Sequence, residues 1–80
     1  MTVKHEVTTM KVTGKIEKKG FGFGVWALVT DDGTTYELKD PPSELKQEGI
    51  TVEIEGQIRE DIMTMAMIGA VLEIKSYKIR

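Results

Sequence analysis

From Ile50 to Arg59 the chain alternates without a break: Ile50, Val52, Ile54, Gly56 and Ile58 fall on one parity, and Thr51, Glu53, Glu55, Gln57 and Arg59 on the other. A period of two sustained over such a stretch gives a strand with one face in a core and one in water, and a helix would scatter the same residues around its circumference. Met10, Val12, Gly14 and Ile16 repeat the pattern against Lys11, Thr13, Lys15 and Glu17. Gly14 interrupts the apolar face, as a glycine does where a strand must bend to serve two sides of a small closed sheet. The chain has 80 residues and no cysteine, so it holds one core and no disulfide framework, and residues 1–80 are read as a single domain with a frayed segment over 1–7.

Val25 to Thr30 and Thr35 to Lys39 flank Asp31-Asp32-Gly33-Thr34, which predicts a hairpin. With Asp32-Gly33 as a two-residue turn, Val29 faces Tyr36, Leu28 faces Glu37 and Ala27 faces Leu38. One face then carries Val25, Ala27, Val29, Tyr36 and Leu38, and Trp26 and Leu28 stand on the outer face with Thr30, Thr35, Glu37 and Lys39. A three-residue loop slips the register by one and reverses the two faces. Asp40-Pro41-Pro42 ends the strand. Ser43 to Gly49 reads as a short helical turn, with Ser43 as N-cap and Gly49 just past its end. Ala70, Leu72 and Ile74 mark a last strand that the tail from Tyr77 to Arg80 extends.

The order β-β-β-α-β-β in this length predicts an all-β fold, a five-stranded Greek-key OB-fold barrel with a short helix between strands 3 and 4. An SH3-like barrel is the alternative. It also packs five strands but normally lacks a helix at that point.

Charge narrows the functions. Residues 1–19 carry five lysines against Glu6 and Glu17, and residues 20–60 carry Lys39, Lys46 and Arg59 against nine acids, within an overall charge of −2. That balance disfavours strong non-specific nucleic-acid binding but leaves room for a local basic strip. The apolar stretch from Ile62 to Leu72, broken by Thr64 and Gly69, is far short of the roughly 20 residues of a membrane span. The segment Met1 to Val7 has no apolar h-region or cleavage site, so no signal peptide is expected. The missing cysteines fit a reducing compartment, and a cytoplasmic protein is expected.

Catalysis is poorly supplied. The single histidine, His5, falls in the frayed segment, and the serines are Ser43 and Ser76. The carboxylate pairs Asp31-Asp32 and Glu60-Asp61 fall at turns, where they serve turn geometry and solubility. Ligand spacings for calcium or zinc are absent. The reading is a non-enzymatic protein without cofactor or metal.

Lys19-Gly20-Phe21-Gly22-Phe23 resembles the first ribonucleoprotein motif of cold-shock domains, themselves OB-folds whose strand-two aromatics stack on single-stranded bases. The match is partial and shifted, because Gly24 and Val25 to Thr30 intervene before Asp31, and Thr34 to Leu38 does not supply the second motif. Trp26 to Gly33, Glu44-Leu45 with Gly49 to Val52, and Gly56 to Arg59 resemble small uncharacterised prokaryotic OB-fold domains over most of the chain from Val12 to Ile79. That resemblance implies the barrel and leaves the function open.

Two clusters compete for the functional role. Lys15, Lys18, Lys19, Phe21, Phe23 and Trp26 join cations to aromatics beside the loop between strands 1 and 2, where an OB-fold binds oligonucleotides or oligosaccharides. Single-stranded DNA or RNA is the partner this cluster predicts, held by stacking and phosphate contact. The bland reading has Phe21 and Phe23 closing a barrel end while the lysines keep the loop in water. Met63, Met65 and Met67 with Trp26 and Leu28 form the alternative, an apolar lip and face for a protein partner, or barrel closure by adaptable side chains. A small-ligand or saccharide site in the same groove is the third possibility.

Overall fold

The computed structural model describes residues 9–19, 24–62 and 68–80. Five strands form, β1 (Met10–Lys19), β2 (Val25–Thr30), β3 (Thr35–Lys39), β4 (Thr51–Ile58) and β5 (Ala70–Ile79), and the protein is all-β, with no α-helix among the described residues. A single 3-10 turn, Ser43–Leu45, lies between β3 and β4. It is shorter than the helical turn expected over Ser43 to Gly49, and Pro42 rather than Ser43 is its N-cap, with no side-chain cap bond.

The sheet closes on itself in the order β1-β2-β3-β5-β4. All pairings are antiparallel except β3 with β5, which is parallel. Closure depends on β1 pairing twice, with β4 over Met10–Lys15 and with β2 over Gly14–Lys19. Gly14 sits where the two pairings overlap, and a Cβ there would come within 2.4 Å of the Val29 carbonyl oxygen. Only a residue without a side chain lets the two backbones approach so closely. Lys18 and Lys19, expected in or beside the loop, are the last residues of β1.

The inward parity of each strand builds one core from Ile16, Leu28, Leu38, Val52, Ile54 and Leu72. Leu45 enters it from the 3-10 turn, and Tyr77 Oη donates to Glu44 Oε1 at 2.8 Å, tying the same turn to β5.

The hairpin register differs from the two-residue expectation by one. Ala27 faces Glu37, Leu28 faces Tyr36 and Val29 faces Thr35. The cause is a three-residue loop. Thr30 N donates to Thr34 O at 2.9 Å, and Gly33, at φ +87°, takes the left-handed conformation that such a loop needs at its last position. The Asp32 carboxylate holds the loop by accepting from the Thr34 amide at 3.0 Å and from the Thr30 hydroxyl. The slip reverses the faces. Leu28 is 0% exposed in the core, and Trp26 packs against that core instead of standing on the outer face.

Candidate nucleic-acid interface

Trp26 and Lys18 are partners across β1 and β2, near the end of each strand that adjoins residues 20–23. Both have the inward parity, but at this end of the ring only part of the indole is covered. The Lys18 ammonium reaches over it, 5.7 Å from the ring centroid, within cation–π range. Lys18 also lies against Gly24, whose added Cβ would meet its Cε at 3.0 Å. The resulting unit is a half-exposed aromatic capped by a cation.

Lys15 and Lys19 have the opposite parity and point outward from β1. Lys15 is exposed between Val29 on β2 and Thr51 on β4. Lys19 makes a 3.5 Å ion pair with Glu17. The structure thus brings Lys18 to Trp26 but sets Lys15 and Lys19 on the other side of the same strand. Phe21 and Phe23, like Met63, Met65, Met67 and His5, lie outside the described residues. Leu28 is unavailable as a protein contact because it is fully enclosed.

The outer face of β2 and β3 is closed at its centre. Ala27, Glu37 and Val71 lie side by side across β2, β3 and β5, and they are 0%, 6% and 6% exposed. Two valines of β2, Val25 and Val29, flank this row and are half-buried. Ile79 is the sole exposed large hydrophobic residue among those described, at 42%.

At the far end of β4 the charges serve each other. Arg59 donates to Asp61 through Nε at 2.9 Å and Nη2 at 2.7 Å, and its Nη1 donates to Glu73 at 3.0 Å. The hydrogen bonds from Arg59 hold the Asp61 carboxyl below its ordinary pKa, and Lys75, then Arg59, does the same for Glu73. The Arg59 guanidinium is pushed up in turn, first by Asp61. Hydrogen bonds from Thr30 and then Thr34 lower Asp32 in the hairpin loop. These shifts stabilise charged forms in structural roles. No group of three or more His, Asp or Glu side chains able to hold a metal ion occurs among the described residues. Nor is any helix among them long and apolar enough to cross a membrane.

A family model described as "Protein of unknown function (DUF5818)" matches residues 13–75. The matched stretch begins within β1 and ends within β5, so it takes in every strand of the ring. No curated protein matches the chain, and no solved structure does.

Proposed function

The chain belongs to the DUF5818 family, and we propose that it is a non-enzymatic OB-fold binding module that takes up single-stranded nucleic acid weakly. The OB-fold assignment is supported by the ring order β1-β2-β3-β5-β4, with the 3-10 turn between β3 and β4 in place of the usual helix. A cytoplasmic setting belongs to the same proposal and rests on the cysteine-free composition.

The observation that carries the nucleic-acid reading is the half-exposed Trp26 ring of β2 beneath the Lys18 ammonium of β1, with Lys15 and Lys19 on the other side of β1. An aromatic face with adjacent cations suits a polyanion whose bases can stack, and each stacked base contributes about 1–3 kcal/mol. A protein interface draws less support, since Leu28 is enclosed and the described surface shows no broad apolar patch. Weak affinity follows from the overall charge of −2.

Trp26 is the only tryptophan, so its fluorescence reports directly on the proposed site. Titration with single-stranded DNA and RNA is expected to give saturable quenching that weakens from low to moderate salt. Flat fluorescence at low salt with every oligonucleotide overturns the reading.

A further inference from the structure

We propose that the bound single strand runs along β1, from Lys18 past Lys15 to Lys11, and not across the outer face of β2 and β3; this rests on the nucleic-acid reading above. The outer face is the customary oligonucleotide path on an OB barrel. Here its centre is inaccessible, because Ala27, Glu37 and Val71 are 0%, 6% and 6% exposed.

The cations point to the alternative. Lys39, Arg59, Lys75 and Arg80 are each held by a carboxylate within 4 Å. Lys11, Lys15 and Lys18 are exposed and make no ion pair among the described residues. Lys46 and Lys78 are also unmatched, but Lys46 follows the 3-10 turn and Lys78 lies on β5. Among the described residues, then, only β1 carries a run of unmatched lysines.

Lys11 and Lys15 share the outward parity, whereas Lys18 has the inward one and reaches over Trp26 at the end of β1, so the proposed path crosses from one side of the strand to the other between Lys18 and Lys15. Acids beside the run are partly engaged elsewhere. Glu53, opposite Thr13, pairs with Arg80, and Glu55, opposite Lys11, accepts a hydrogen bond from Ser76. At a strand rise of about 3.3 Å per residue, the lysines cover about 23 Å. A strand of about four nucleotides, the short end of the range for such domains, fills that length.

The test measures binding of oligothymidylates of two, four and eight nucleotides by Trp26 fluorescence at two salt concentrations. Wild type is compared with Lys11→Gln, Lys18→Gln and, as a control away from β1, Lys46→Gln, each checked for an unchanged melting temperature. The four-mer is expected to bind more tightly than the two-mer. Lys11→Gln should weaken the four-mer about threefold and reduce its log–log salt slope by about 0.7, the loss of one phosphate contact on a single strand. It should leave the two-mer unchanged, whereas Lys18→Gln weakens both. If Lys18→Gln weakens binding and Lys11→Gln does not, the β1 path is wrong and the nucleic-acid reading stands. Equal losses from Lys11→Gln and Lys46→Gln also overturn the path, because general charge then accounts for the effect. No binding by wild type overturns the reading and the path together.

Discussion

At the end of β4 and along β5 to the residue after it, Arg59, Lys75 and Arg80 are each matched to a carboxylate and Lys78 alone is not, whereas on β1 only Lys19 is matched, and Lys11, Lys15 and Lys18 stand unmatched among the described residues. The two regions have similar charged residue types and different uses for them. Where a cation has a carboxylate within reach, as Arg59 has Asp61 and Glu73, Lys75 has Glu73 and Arg80 has Glu53, the charge is internally neutralised and adds little to the outside field. Where the neighbours of a lysine are Val29 and Thr51, as at Lys15, its charge remains available to a ligand. Counting lysines and carboxylates does not separate these cases, and neither does register alone, since Lys11 stands opposite Glu55 and is still unmatched among the described residues; the side-chain pairings do.

The largest of the effects predicted for these two regions lies in the backbone of the ion-paired one. Gly56 stands at the irregularity in the β4–β5 pairing, and a Cβ there would come within 2.1 Å of the Glu73 carbonyl oxygen. Main chain meets main chain at that point, so no side chain can yield. Gly56→Ala is expected to cost more than about 3 kcal/mol in chemical denaturation, beyond ordinary overpacking. A loss below about 1 kcal/mol, the low end of overpacking costs, would mean that the two strands separate easily and that the ion pairs hold the region together.

Trp26→Ala is the corresponding change at the β1–β2 end. A half-buried indole packed on the core should cost about 2–3 kcal/mol on truncation, less than a fully buried tryptophan. Trp26→Phe should restore much of that loss. An unchanged midpoint for Trp26→Ala would return the residue to the outer face and contradict the observed register.

That register also marks how far the fold and site were legible in the sequence. All five strands and the turn before β4 follow from alternation, from Asp40-Pro41-Pro42 and from the glycines. The facing of β2 does not, because Val25 to Val29 is apolar on both parities and its amphipathicity decides nothing. The decision falls to the length of one loop, and Asp-Gly is compatible with two lengths. Thr30 and Thr34 bonding around Asp32 select the longer one, a local preference visible only once the hydrogen bonds are known. Lys15, Lys18, Lys19 and Trp26 were recognisable as a group from their nearness in sequence, but their division between the two faces of β1 and β2 was not. Lys11 does not stand out in the sequence, because an alternating strand gives every outward lysine a sufficient reason in solubility alone.

A smaller contrast concerns binding against stability. Lys15→Gln should weaken oligonucleotide binding about threefold and leave the melting temperature unchanged, since Lys15 has no partner to lose among the described residues. Arg59→Gln should lower the melting temperature slightly and leave binding unchanged. Parallel titrations and thermal melts of the two variants check both halves. If Arg59→Gln impairs binding as strongly as Lys15→Gln, the ion-paired region is also part of the interface and the contrast between the regions fails.

The smallest expected effect is the pH dependence of that Arg59 contribution, and its sign can be worked out. The Asp61 and Glu73 carboxyls are held below their ordinary values of 3.8 and 4.5. Groups whose folded pKa is depressed add stability that is fully present above the unfolded pKa and is lost as pH falls through the folded one. The melting-temperature gap between wild type and Arg59→Gln should therefore be steady from neutral pH down to about pH 5 and close progressively below it. Moderate salt should narrow the gap at neutral pH as well, because these side chains meet solvent and their attraction is screened. A gap that persists unchanged in acid would assign the role of Arg59 to the packing of its aliphatic stem, leaving β1 as the region whose behaviour is set by charge.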